Sequence, residues 1–340
     1  MKERKNSTIH DVARVAGVSI KTVSRVINKD LTVRSSNREK VESAIRQTGY
    51  QPDLNARRLR TQQSYLIALL YAVHDSNSYS SRLTYGAVSA CDEAGYDLLV
   101  RPCDFVNYND ISAIVEHIAN RSNPDGYIIA PPLSNDPDLI RTLKSLDKGI
   151  VRIAPLNIDE DDCVYTMEYD GALTAMRHLM SVGHTKIAFI NDLKGYGGVS
   201  RFEGYQQAHK EAGLEIEPSL VKTLEGTDSE YEMAVRQLLN NENCPTAVFC
   251  STDYLAMLIY RVANQLHLKI PYDLSVIGFD DDPNSRNIWP PLSTIRQPVV
   301  NLGRAAAEKL IYSLIQKQHV NHKQDLACEL IMRSSCAPNL

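Results

Sequence analysis

Residues 8–28 read TIHDVARVAGVSIKTVSRVIN, and the organisation of the whole chain follows from that stretch. Thr8 is placed to N-cap a helix, because Ile9, Val12, Ala13 and Ala16 follow at helical spacing and Gly17 ends the run. Ser19 caps a second helix whose inward face is Val23, Val26 and Ile27. Helix, glycine turn and helix form a helix-turn-helix pattern, whose second helix lies in the major groove of DNA. Ser19, Ile20, Lys21 and Thr22 of its first turn, with Arg25, then face base edges or phosphates. A hairpin used only for packing is the alternative. The residues off the apolar face, among them Lys21, Thr22, Ser24, Arg25 and Asn28, suit a nucleic acid better than a core. Thr8, at the start of the first helix, joins these DNA-binding candidates.

Outward from this stretch, the loop KDLTVRSSN leads to a third helix over about Ser36 to Thr48, with Val41, Ala44 and Ile45 inward and Gly49 as its stop. Arg34, Ser35, Arg38 and Lys40 are candidates for phosphate contact, although solvated loop charges account for each equally well. Residues 1–62 hold 14 Lys and Arg against 6 Asp and Glu, whereas the remainder holds 23 against 35. A basic head on an acidic body is the charge pattern of a head that meets phosphate. Tyr50-Gln51-Pro52 then opens DLNARRLRTQQS, a stretch with few core residues that reads as a linker.

The totals bound the rest. A chain of 340 residues has room for two or three domains. No apolar run is long enough to span a membrane, and MKERKNST is followed by no apolar segment, so no secretory signal is expected. The seven cysteines form no CxxC pair and no metal-ligand spacing, which points to neutral thiols in a reducing compartment. A cytoplasmic protein, nucleoid-associated when bound to DNA, is the expectation.

From Tyr65 onward, apolar runs alternate with helical patterns. Strands are expected at Leu66–Tyr71, Asp97–Arg101, Tyr127–Ala130 and Ile150–Ile153, then at Lys186–Ile190, Leu220–Thr223, Ala247–Cys250 and Ser275–Phe279. Strand-helix alternation means parallel sheets flanked by helices, and two such series mean two sheets with a cleft between them. Ligands on such sheets bind beyond the carboxyl ends of the strands. Asp280 follows one of those ends, and Arg201 opens a helix after a glycine-rich loop.

The pattern TIxDVAxxAGVSxxTVSRVxN resembles the N-terminal signature of the LacI/GalR family of bacterial transcriptional regulators. The stretches HLMSVGHTKIAFI, SRFEGYQQAHKEAGL, TAVFCSTDYLAM, DLSVIGFDD and WPPLSTIRQP resemble its effector-binding core, which is similar to periplasmic sugar-binding proteins. The resemblance covers nearly the whole chain. It implies an N-terminal all-α helix-turn-helix head plus an α/β, periplasmic-binding-protein-like body of two parallel-sheet subdomains. The head is then 1–50 and a hinge helix or linker 51–64. The N-subdomain is 65–160 with 297–320, and the C-subdomain 161–296 with 321–340. The chain crosses between halves near 159–163, 294–298 and 319–323. The hinge helix carries an AxxL core, here Ala56-Arg57-Arg58-Leu59. The resemblance makes Asn55, Ala56, Arg57 and Leu59 DNA contacts, with Leu59 wedged into the minor groove at a cost in unstacking repaid by the bent DNA. So short a helix is unstable alone and orders only on DNA, which makes it a switch element.

The family's motifs place Arg201 and Asp280 on the effector, where each can span two sugar hydroxyls; a salt bridge across an empty cleft is the alternative. Thr252 and Asp253 follow the strand ending at Cys250, and Asp253 equally suits a helix cap. Asn77, Tyr79 and Arg152 lie where first-half contacts are expected. Trp289 suits the pocket mouth or the crossover, and Asp170 a helix cap. The loop 225–229 has no aromatic residue to stack on a flat base, which disfavours a purine.

Other classes fit less well. Asp280-Asp281-Asp282 and the acidic run 159–162 lack EF-hand spacing, and GYGGVS at 195–200 ends on Ser200 where GxGxxG needs glycine. No nucleophile has a plausible base, so no enzyme, metal or cofactor is expected. A transport binding protein would need a signal and no DNA-binding head. The expectation is a homodimeric repressor of a carbohydrate-utilisation operon, each head reading half of a pseudo-palindromic double-stranded operator. A small sugar or oligosaccharide in the cleft releases the DNA, and no membrane is involved. A purine or other metabolite acting as co-repressor is the alternative. No leucine heptad follows the last expected strand before Leu340, so a dimer and not a tetramer is expected.

Overall fold

The computed structural model describes residues 7–27, 30, 32–50, 63–73, 78–103, 111–158, 162–192, 198–240, 243–316 and 323–339. The chain divides into two compact units, Met1–Ser64 and Tyr65–Leu340. The first unit holds α1 (Ile9–Ala16), α2 (Ile20–Ile27) and α3 (Ser35–Thr48). Thr8 caps α1 in a reciprocal box: its side chain accepts from the Asp11 amide, and the Asp11 carboxylate accepts from the Thr8 amide at 3.0 Å. Gly17 ends the helix at φ 63°, a left-handed turn that glycine adopts without strain. The periodic positions read from the sequence form the core, with Val12, Val23 and Val41 fully buried and Ala44 nearly so.

The second unit contains two six-stranded sheets of like order. The first half of the chain supplies β1 (Leu66–Ala72), α4 (Ser78–Ala94), β2 (Asp97–Cys103), α5 (Ile111–Ser122), β3 (Gly126–Ile129), α6 (Pro137–Ser145), β4 (Gly149–Ile153) and β5 (Cys163–Thr166). The second supplies α7 (Glu168–Ser181), β6 (Ile187–Asp192), α8 (Gly198–Ala212), β7 (Val221–Leu224), α9 (Asp228–Leu239), β8 (Ala247–Cys250), α10 (Asp253–Gln265), β9 (Ser275–Asp280) and β10 (Ser293–Arg296). After these come α11 (Val299–Gln316), β11 (Lys323–Leu326) and β12 (Glu329–Ile331). The sheets run β2-β1-β3-β4-β5-β11 and β7-β6-β8-β9-β10-β12. Every pairing is parallel except β10 with β12.

Strands buried on both faces read as continuous apolar runs, because alternate residues enter different cores. In β1, Ile67 and Leu69 pack with α4 and α11, whereas Ala68 and Leu70 pack with α5 and α6. In β6, Ile187 and Phe189 face α7 and α8, whereas Ala188 and Ile190 face α9 and α10.

The expected crossings move. β5 and β11 pair with each other in the first sheet, so residues 163–166 and 323–326 belong with the first half and not with the second, where 161–296 and 321–340 had been assigned. The crossings read at 159–163 and 319–323 therefore fall after Thr166 and after Leu326. The physical reason is length and polarity. CVYT, STIR, KQDL and ELI are too short, or too polar, for periodicity to mark them as strands.

α11 follows the second half in sequence yet packs on α4 of the first, and two glycines bring the backbones together. A Cβ on Gly303 would stand 2.0 Å from the Leu83 carbonyl oxygen, and one on Gly86 would stand 1.9 Å from that of Val300. Gly303→Ala should therefore force the helices apart. We expect a loss of about 1–3 kcal/mol in urea unfolding, and an unchanged midpoint would contradict the backbone contact.

The turn after β9 is fixed by ions. The buried Asp281 carboxylate takes Arg296 at 2.8 Å, Arg286 at 3.0 Å, and Arg333. Burial alone would raise its pKa, but hydrogen bonds from these three guanidiniums outweigh burial and hold the carboxyl down at about 2. A lowered folded-state pKa gives stability that is present above the ordinary value of 3.8 and lost as pH falls toward 2. Asp281→Asn should cost about 3–5 kcal/mol at pH 7, as for other buried pairs that lose one partner. It should also flatten the fall in stability expected of the wild type below pH 4, read in an acid titration of both proteins.

Candidate functional site

In the head, the first turn of α2 presents a polar surface. Ser19 caps the helix by accepting from the Thr22 amide at 3.2 Å, and the two hydroxyls lie 2.9 Å apart. Ile20 is 41% exposed, and Lys21 beside it is exposed. Ser24 is half-buried and Arg34 is exposed at the start of α3. Arg25 is already engaged: its Nε donates to Asp30 at 2.8 Å, and its guanidinium also reaches the Thr32 hydroxyl. Asp30 is thereby held below the usual carboxylate range, chiefly by Thr32 and then by Arg25. Asn28 and the segment with Asn55, Ala56, Arg57 and Leu59 lie outside the described residues.

In the body, a cavity of about 840 Å³ lies at the carboxyl ends of strands from both sheets. That is within the range of small-molecule sites. Its lining includes Tyr79 from the start of α4, Glu168 from α7, Arg201 from α8, Thr252 and Asp253 at the start of α10, Asp280 at the end of β9 and Gln297 before α11. Arg201 is the centre. Its guanidinium is buried, with Nε donating to Glu168 at 3.1 Å, another nitrogen to the Ser251 carbonyl, and a third 3.8 Å from Asp280. It also lies 3.9 Å over the Phe279 ring. Glu168 and Asp280 outweigh the cost of burial and hold Arg201 charged.

Asp280 stands at φ 118° and Asp281 at φ 49°, a conformation that L side chains rarely adopt. Such strain costs about 1–3 kcal/mol per residue and persists only where the surroundings over-determine it. Here Arg82 donates to the carbonyls of Asp280 at 3.3 Å, Asp281 at 3.4 Å and Gln297 at 3.1 Å, and the Gln297 amide donates to the Asp280 carboxylate at 2.6 Å. Burial pushes the Asp280 carboxyl up and Arg201 pulls it back, leaving it at about 6. Tyr79 is also pushed up, by burial and then by the carboxylates of Glu168 and Asp280.

Thr252 is the helix cap in its loop, accepting from the Leu255 amide at 3.2 Å. Asp253 is the first helical residue and not a cap. Its oxygens take the Thr294 hydroxyl at 2.6 Å and the Asp282 amide at 2.7 Å, so it anchors the loop that carries Asp280. Two expected contacts stand elsewhere. Arg152 is buried beside the first-sheet loop, donating from Nε to the Ser134 carbonyl at 2.8 Å, and it does not line the cavity. Trp289 is 87% exposed and also outside the lining. Asp170 sits in the first turn of α7 and not at its cap, and it lines the cavity. Asn77 lies outside the described residues. Glu168, Gln297 and Arg82 were not singled out from the sequence. The one signal for Gln297 was its place at a crossing, in STIRQP.

Comparison with known proteins agrees with this architecture. Residues 8–53 match the model of bacterial regulatory proteins of the lacI family, and residues 176–336 that of a periplasmic binding protein-like domain. The HTH-type transcriptional regulator DegA of Bacillus subtilis is 32% identical over 98% of this chain and 98% of its own. The transcriptional repressor PurR of Haemophilus influenzae is 32% identical over 97% and 98%, and the ribose operon repressor of Escherichia coli 32% over 97% and 99%. Among solved structures, the lac repressor dimer bound to operator and the anti-inducer ONPF superposes with a TM-score of 0.73 at 27% identity, over 98% of this chain and 100% of that one. The CelR–cellobiose complex gives 0.73 at 25%, over 97% and 100%. Its relatives are regulators and not enzymes, no helix among the described residues is long and apolar enough to cross a membrane, and the chain is a DNA-binding transcriptional repressor that belongs to the LacI family.

Proposed function

We propose that this repressor governs carbohydrate utilisation and that a sugar or oligosaccharide held between Arg201 and Asp280 releases it from its operator. The observation that carries this reading is the pairing of a buried guanidinium with a carboxylate that still faces an 840 Å³ cavity. The two offer fixed donors and acceptors to vicinal hydroxyls. The wider lining supports it. Among the described residues it carries nine carboxylates to one guanidinium, plus six tyrosines, a surface of acceptors and flat apolar rings that suits a polyol. A purine acting as co-repressor is the second reading, favoured by the kinship to PurR and by the same tyrosine rings.

The head reads half of a pseudo-palindrome through Ser19, Ile20, Lys21, Thr22 and Ser24, with Thr8, Asn28 and Arg34 as flanking contacts. Arg25 keeps its Asp30 partner or exchanges it for phosphate. Two copies bind together, each hinge segment placing Leu59 in the minor groove. A ligand in the cleft alters the relative placement of the halves, so effector and operator must change each other's affinity by the same factor.

The purified protein should be melted with mono- and oligosaccharides, sugar phosphates and purines, in parallel with Arg201→Ala. A ligand at 100 times its dissociation constant stabilises by about 2.7 kcal/mol. A sugar shift that Arg201→Ala abolishes, with operator binding kept but no longer relieved, is the expected outcome. A purine hit would overturn the sugar assignment, and a sugar response intact in the variant would move the pocket. Leu59→Ala should weaken operator binding by at least tenfold and leave binding to random DNA nearly unchanged. Equal losses on both would remove the wedge.

A further inference from the structure

A second cavity, of about 270 Å³, shares no lining residue with the large cleft. The turn after β9 divides between them: Asp280 and Asp282 line the cleft, and Asp281 lines the smaller space. Around that space stand Arg82 from α4 of the first half, and Arg286 and Arg296 from the second. The only carboxylate in the lining, among the described residues, is Asp281, and three guanidiniums already match it, including Arg333 from outside the lining. Glu329 takes Arg296 at 3.0 Å on its other edge. Arg82 also acts on the Asp280 carboxyl, pulling it down, so four arginines stand here against the three carboxylates of Asp280, Asp281 and Glu329.

The donors are also not exhausted. A guanidinium carries five N–H groups in a planar fork. Arg286 sets one nitrogen on Asp281 and keeps 60% of its side chain exposed. Arg82 gives its hydrogen bonds to main-chain carbonyls, and its charge is shared with the nearby Asp280 carboxylate. Planar forks converging on a concave space of this size, with surplus positive charge, match the geometry of a phosphate and part of what it is esterified to.

We propose that this cavity is a binding site for a phosphate group, free or as a monoester, clamped by Arg82 from one half and by Arg286 and Arg296 from the other. Because it draws on both halves, the anion stabilises the placement of the halves seen here and biases the same movement the effector acts on. Phosphate is thus a second input to the repressor, independent of the ligand in the cleft.

The test is calorimetric titration of the full-length protein with inorganic phosphate and, separately, with glycerol 3-phosphate, against chloride at matched ionic strength. Saturable binding is expected, weakened at least tenfold in Arg286→Gln and in Arg82→Gln and unchanged in Arg201→Ala. Arg286 is exposed, so its variant tests the site even if Arg82→Gln disturbs the fold. Equal affinity for both probes identifies the free anion as sufficient, and tighter binding of the ester identifies an organic phosphate; both support the site. Absence of saturable binding overturns the proposal. So does binding that Arg201→Ala abolishes and Arg286→Gln leaves intact, because the anion would then sit in the cleft.

Discussion

A guanidinium taken out of water must be answered by charge and hydrogen bonds, or it will not stay buried. Arg201 is answered by elements far apart in sequence: Glu168 opening α7, the Ser251 carbonyl after β8, and Phe279 and Asp280 at the end of β9. Each sits at the carboxyl end of its strand or the start of its helix, so the parallel sheet delivers them to one point. The cleft exists because that point lies where the halves meet.

The same need explains the turn beyond β9. Asp280 and Asp281 both hold positive φ, and they hold it because each is tied on several sides. Arg82 grips three carbonyls, Gln297 grips the Asp280 carboxylate, and three arginines grip Asp281. Asp253 supports the next residue from below through the Asp282 amide, and Gly278 makes room for it, since a Cβ there would stand 2.1 Å from the Asp253 carboxylate. Strain concentrated at one turn is a sign that the turn positions something, and what it positions is a carboxylate facing the cavity.

Much of this was readable from the residues. The long apolar runs at β1, β6, β8 and β9 declare buried parallel strands, and the head's caps and glycine stops declare its three helices. Arg201, Asp280 and Thr252 could be singled out because they sit at strand ends and helix starts. β5, β10, β11 and β12 were not readable as strands, since runs of three or four residues that include polar positions show neither a period nor the unbroken apolar stretch of β8. Arg82 and Glu168 were not readable as partners because each acts across more than thirty residues of sequence, and Gln297 because 17 residues separate it from Asp280. Arg152 misled for the opposite reason: a basic residue on a strand looks like a ligand contact until its bond to the Ser134 carbonyl is seen.

The late return of the chain also bears on how the protein is made. The first sheet needs β11, and its α4 face needs α11, yet both emerge only after the second sheet has been read as far as β10. Synthesis runs at about 5–20 residues per second, so the apolar face of α4 waits through more than two hundred residues for its cover. During that interval each sheet holds all but one of its strands, but the first also lacks the helix α11, whereas the helices flanking the second have all been made. The last apolar face a nascent chain covers is therefore that of α4, near its beginning and not its end.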